Sequence, residues 1–187
     1  MSPGSRPALR ADAARNRAAI IESAAELFRR DGANASLEEI AREAKVGSAT
    51  LHRHFTSRQA LLDAVFIEDV LQLCADGRIM LSAAASSDAL WTWLEHIAVH
   101  CAAQDALSRL IRDGAASTTS RVASFELLAE TGRELYENAA SAGTVRTDVS
   151  IGDLLVAVNA MANAAGAGAG DVRRLLSLIR EGALPRE

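Results

Sequence analysis

The sequence predicts an all-α protein, and three observations carry that prediction. Alanine, leucine and arginine dominate, while proline occurs only 3 times and aromatic residues make up 4%, a composition that suits helices and is poor in strand formers. Apolar residues recur three and four positions apart along most of the chain, the period of one helix face. No stretch of useful length alternates apolar with polar residues, so no strand is expected. At 187 residues the chain can form one or two small domains with a real core.

The elements follow in order. Residues 1–10, with Pro3, Gly4 and Pro7, read as a disordered basic arm. A first helix carries Ile20, Ile21, Ala24, Leu27 and Phe28 and ends at Asp31 and Gly32. Residues 36–66, SLEEIAREAKVGSATLHRHFTSRQALLDAVF, are the most informative. Leu37, Ile40, Ala41 and Ala44 make the apolar stripe of a second helix, and Ser36 with Glu39 three residues on is a capping box that starts it. Ala41 is small where two steeply crossing helices must approach closely. Lys45, Val46 and Gly47 break the period, with Val46 as the apolar plug under a turn. A third helix is expected from Ser48 to His54, burying Leu51 and leaving Ser48, Ala49, Thr50, His52 and Arg53 outward. Phe55 closes the unit, and Thr56 and Ser57 offer a cap for the helix that begins at Arg58. Two short helices joined by a tight turn, then a longer one, can set a helix into the DNA major groove.

From Arg58 a long helix is expected to about Leu81, with Leu62, Val65, Phe66, Leu73 and Cys74 inward. Ser86, Ser87 and Asp88 start another, which holds Leu90, Trp91, Trp93, Leu94, Ile97, Ala98 and Cys101. A short helix over 106–113, a long one from Thr118 to Ala142 stopping at Gly143, and a final pair over 151–164 and 171–182 complete about nine helices. The glycines at 166, 168 and 170 predict a flexible joint within that pair. The expected domains are 11–57, a three-helix helix-turn-helix unit, and 58–187, a larger helical unit.

A net charge of −4 at first argues against nucleic acid. Residues 1–58 hold ten Lys/Arg and seven Asp/Glu, giving +3; residues 59–187 hold ten and seventeen, giving −7. Only the first part suits phosphate. Arg6, Arg10, Arg15 and Arg17 cluster at the N-terminal end, where an arm places arginine on phosphates or in a minor groove, or is simply a solvated tail. No apolar run reaches membrane-spanning length, and no apolar core follows the N-terminal arginines, so neither a membrane partner nor a secretory signal is expected. Cys74 and Cys101 make no disulfide framework and read as thiols of a reducing cytoplasm.

Residues 12–68 resemble the TetR family of transcriptional regulators, whose motif approximates Ile-Ala-x-x-Ala-Gly-Val-Ser-x-x-Thr-Leu-Tyr-x-His-Phe followed by a polar cap, a basic residue and a Leu-rich helix. Ile40, Ala41, Ala44, Val46, Thr50, Leu51, His54, Phe55, Arg58, Leu61 and Leu62 match it. Three positions depart: Lys45 replaces Gly, Gly47 replaces Ser and His52 replaces Tyr. A left-handed backbone at Lys45 would cost roughly 1 kcal/mol, while Gly is an acceptable N-cap. The later helices look like the family's shorter, SbtR-like C-terminal domain.

The resemblance implies a homodimer on a double-stranded palindromic operator, released or retained by a small-molecule effector. Arg53 suits bidentate reading of guanine, with Ser48 and Ala49 nearest the bases. Thr50, His52 and Arg58 match motif positions that touch phosphates, and Lys45, Ser36, Arg6 and Arg10 join the expected DNA face. Trp91, Trp93, His96, His100, Cys101 and Tyr136 are the effector-pocket candidates, because aromatic walls with a few polar groups suit a small molecule; the competing reading is that they are core. Leu154, Leu155, Val158, Met161, Leu175, Leu176 and Ile179 are the candidates for a four-helix dimer interface, the competing reading again being a monomer core. His96 and His100 have the i, i+4 spacing of metal ligands but no partner cluster, so no metal or other cofactor is expected. No nucleophile elbow, phosphate loop or paired-cysteine motif appears, and no enzyme is expected. The alternative function is a helical ligand- or partner-binding protein whose helix-turn-helix no longer reads DNA.

Overall fold

The computed structural model describes residues 5–82, 88–103, 118–164 and 169–184, and every regular element among them is helical. The expected short helix at 106–113 and most of the glycine joint lie outside the described residues. The chain forms two compact units, residues 1–68 with 109–120 and residues 69–108 with 121–187.

In the first unit α1 spans Ser5–Asp31, so residues 5–10 are helical where a disordered arm was expected. Ala8, Leu9, Ala11, Ala13 and Ala14 favour helix, and Pro7 sits in the first turn, where its missing N–H breaks no hydrogen bond. Further on, Ile20, Ile21, Ala24, Leu27 and Phe28 are buried. A single 3-10 turn, Gly32–Asn34, leads to α2 (Leu37–Glu43). There α2 buries Ile40 and Ala41, while Leu37 is only half-buried. The α3 helix spans Ser48–His54 and buries Leu51, and Phe55 closes it with 4% exposure. The long α4 covers Arg58–Ser82 and is capped by Ser57, whose hydroxyl accepts the Ala60 N–H at 3.1 Å. Leu61, Leu62 and Val65 of α4 are buried.

Half of the expected capping box forms at Ser36. Its hydroxyl accepts the Glu39 N–H at 3.4 Å, but Glu39 turns away to accept from Arg30 and Arg42 at 3.3 and 3.1 Å. The turn after α2 is a complete C-terminal cap. Lys45 N–H bonds back to Arg42 O at 3.1 Å and Val46 N–H to Ala41 O at 2.9 Å, the paired bonds of a Schellman motif. That motif needs a left-handed residue, and Lys45 supplies it with φ 56°. The same pair of bonds ends another helix, from Gly143 N–H to Ala140 O and Thr144 N–H to Ala139 O, with Gly143 at φ 69°.

In the second unit α5 (Ala89–Ala103) is the centre, packing on α7 (Ile151–Ala164) and α8 (Ala169–Gly182). It buries Ala89, Leu90, Trp91, Trp93, Leu94, Ile97 and Ala98, apolar nearly all round, as a central helix must be. The remaining helix, α6, is Thr118–Ser141. Trp93 is fully buried, and its indole N–H donates to Leu73 O at 2.8 Å. Two glycines make room for it. A Cβ at Gly77 would lie 2.7 Å from the indole nitrogen, and one at Gly132 would lie 2.8 Å from both the ring and Ile151. A full capping box starts α7, where Asp153 N–H donates to Ser150 Oγ at 3.1 Å and Ser150 N–H to the Asp153 carboxylate at 3.0 Å. The Ser150 hydroxyl, first, holds Asp153 below the usual carboxylate range.

Two sets of substitutions test these contacts. Lys45→Gly is expected to raise stability by about 0.5–1 kcal/mol and Gly143→Ala to lower it by about as much, read from urea unfolding midpoints. Gly132→Ala is expected to destabilise by about 1–3 kcal/mol through overpacking against Trp93 and Ile151, despite alanine's better helix propensity; an unchanged or raised midpoint would show the indole is not wedged there.

Candidate nucleic-acid interface

The reading face is built by the turn at Lys45. After it Gly47 takes extended angles, φ −71° and ψ 148°, and its carbonyl accepts the Thr50 N–H at 2.8 Å to start α3. A Cβ at Gly47 would meet nothing within 4 Å, so serine would fit there. Lys45, Ser48, Ala49, His52 and Arg53 are exposed and Thr50 is half-buried. Arg53 donates to Thr50 Oγ1 at 3.1 Å, which lays its guanidinium along the helix surface. These residues stand together as one polar, donor-rich face.

Two other expected contacts have internal roles. Arg58 is half-buried, and its guanidinium donates to the Ala35 carbonyl, tying the start of α4 to the segment before α2. The bond gives Arg58 a partner inside the unit. The Ser36 hydroxyl serves the Glu39 N–H and donates to the Glu38 carboxylate at 2.8 Å. That bond, with smaller contributions from His52 and Arg58, holds Glu38 below its ordinary value. Arg10 is exposed; residue 6 is helical, but its side chain lies outside the described residues. His54 packs against Phe55, ring centroids 6.4 Å apart. In the sequence Arg17 is one member of a charge cluster. Its guanidinium stands 5.4 Å from the Phe55 ring centroid, a cation–π contact visible only once α1 and α3 are brought together.

The six effector candidates do not converge on one space. Trp91 and Trp93 are core, 3% and 0% exposed, and both indole N–H groups serve backbone carbonyls, Thr144 at 3.4 Å and Leu73 at 2.8 Å. Tyr136 donates to Arg146 O at 2.9 Å. His96 faces solvent. His100 and Cys101 lie half-buried at the end of α5, with His100 Nε2 3.9 Å from Asp69. Burial pushes the Cys101 thiol up to about 11, so it is a neutral thiol. Among the described residues no three His, Cys, Asp or Glu side chains gather as metal ligands.

The interface candidates on the last two helices need correction as well. Leu154, Leu155, Val158 and Leu176 are buried in the unit's own core, and Met161 and Ile179 pack against it; Leu175 is half-buried. These apolar stripes face α5. Among the described residues, the large apolar side chains that α7 and α8 expose are Val156 and Leu178, at 59% and 58%.

Residues 20–65 match the model of bacterial regulatory proteins of the tetR family, and residues 85–185 match the C-terminal domain of SbtR-like transcriptional regulators. No curated protein matches the chain. Among solved structures, a TetR transcriptional regulator of Streptomyces coelicolor is 30% identical with a TM-score of 0.71, over 91% of this chain and 99% of that one. A TetR transcription regulatory protein of Mycobacterium vanbaalenii is 32% identical with a TM-score of 0.68, over 95% and 99%. GusR of Salmonella enterica shares the fold at 19% identity, with a TM-score of 0.64 over 89% and 92%. Matched along both its helix-turn-helix and its C-terminal helices, the chain belongs to the TetR family of bacterial transcriptional regulators.

Proposed function

We propose that this TetR-family regulator is a repressor whose homodimer sets one α3 helix into each half of a palindromic operator, and that an effector held by the second unit releases it. The observation that carries this reading is the Schellman turn, which leaves Lys45, Ser48, Ala49, His52 and Arg53 exposed around α3. Arg53 reads a base edge, since its fork matches the O6 and N7 of guanine. Ser48 and Ala49 approach the bases, while Lys45, Thr50 and His52 fix register on phosphates. One seven-residue helix offers few contacts, so a second copy about 34 Å away, one DNA turn on, supplies the missing affinity. Val156 and Leu178, with Met161, Leu175 and Ile179 at the edges, are the side chains we assign to the contact between copies.

His100 and Cys101, beside Asp69, are the polar and soft groups at the margin of an otherwise apolar core, and we assign effector contact to them. Among the described residues no helix is long and apolar enough to cross a membrane; we place the protein in the cytoplasm, acting on DNA and not as an enzyme. The α4 helix carries the coupling, because it runs unbroken from Arg58 through Ser82 with Glu68 in one unit and Asp69 in the other. Effector and operator then change each other's affinity by the same factor.

The test is a titration of DNA from upstream of the protein's own gene against random DNA at two salt concentrations. Specific affinity is expected to fall steeply as salt rises from about 50 to about 200 mM. Arg53→Ala is expected to cost about 1–3 kcal/mol on the specific site and to leave the dimer intact. Equal loss on specific and random DNA would move Arg53 from base reading to phosphate contact.

A further inference from the structure

Residues 8–15, at the N-terminal end of α1, stand outside the core of their own unit, and burial begins only at Ile20. Exposed along residues 8–15, the extension is distinguished by its charge. Its charge is one-sided. Residues 5–18 hold Arg6, Arg10, Arg15 and Arg17 against Asp12 alone. At about 100° per residue, positions 6, 10 and 17 fall within an arc of about 40°, while position 15 lies on the opposite side. Arg15 is neutralised there by an ion pair with Asp12. The other stripe begins beside the reading head, because Arg17 at its base stands over Phe55, the residue that ends α3.

We propose that this helical extension lies along the sugar–phosphate backbone flanking each operator half-site, with Arg6 and Arg10 on phosphates and Arg17 anchoring its base at Phe55. It rests on the DNA-binding reading above. Charge complementarity selects the partner, and helix width selects the mode. A helix about 10–12 Å across does not enter a minor groove about 6 Å wide, so the extension lies on the backbone and adds affinity without adding sequence preference.

The test uses full-length protein and a duplex carrying the site that the wild type selects from a random-sequence pool, once with long flanks and once trimmed to the site. Arg6→Gln with Arg10→Gln keeps helix propensity and removes the stripe; Arg15→Gln is the control from the other side. The double variant is expected to lose the wild type's preference for the flanked duplex. Its salt slope should fall by about 0.9 per lost phosphate contact, hence about 3.6 over the four contacts of a dimer, with Arg15→Gln like wild type. An unchanged slope and flank preference in the double variant overturns the proposal, as does an equal loss in Arg15→Gln. A wild type that selects no site overturns the DNA-binding reading itself, a result distinct from both.

Discussion

α2 and α3 can cross as they do only because the backbone reverses between Ala44 and Gly47, and two hydrogen bonds make that reversal. Lys45 and Val46 donate back to Arg42 and Ala41, satisfying carbonyls that the end of a helix otherwise leaves without partners. The geometry demands a positive φ at the first of them, and the chain places a lysine there at 56°. The neighbouring choices follow from this turn. Ala41, 3% exposed, is small enough for the crossing, Val46 is half-buried, and Gly47 starts α3 in an extended conformation. The cation that strains the turn also stands exposed beside the reading helix. This is how a residue poor for stability is rich in charge where DNA would lie, a trade expected at functional sites.

The second unit is organised around an indole. Trp93 reaches α4 through its bond to Leu73 and meets α6 at Gly132, and both glycines beside it are places where any side chain would displace the ring. Around this pivot the outer helix α8 is clipped to α5 by paired charges, Glu95 with Arg173 at 2.6 Å and Asp88 with Arg180. The segment after α6 is tied down by Trp91, Tyr136 and Arg146, the last donating its N–H to Ala183 O at 2.8 Å. Surface ion pairs of this kind contribute little each; the buried apolar contacts of α5 hold the unit together.

What the sequence made legible was local. The bounds of α3, the Ser57 cap and the stop at Gly143 are written in neighbouring residues, and the left-handed turn was legible from Lys45 standing where a glycine is usual. What it hid was long-range. Arg58 bonds a carbonyl 23 residues away, and Trp93 one 20 residues away, so neither bond is written in neighbouring residues. Leu154, Leu155 and Val158 show why periodicity misleads about interfaces: spacing says which residues share a face, not whether the same protomer covers it. Residues 5–10 carry the proline and serine of a disordered arm beside Ala8 and the alanines that follow, and the helix propensity of those alanines prevails.

Whether two copies of α3 read DNA together is decided by the sequence that the intact protein enriches from a random duplex pool. An inverted repeat whose half-sites lie one helical turn apart, about 34–36 Å from centre to centre, is the expected result. Enrichment of a single unpaired half-site would contradict the paired reading, and a pool that emerges without any common sequence would contradict the reading head itself.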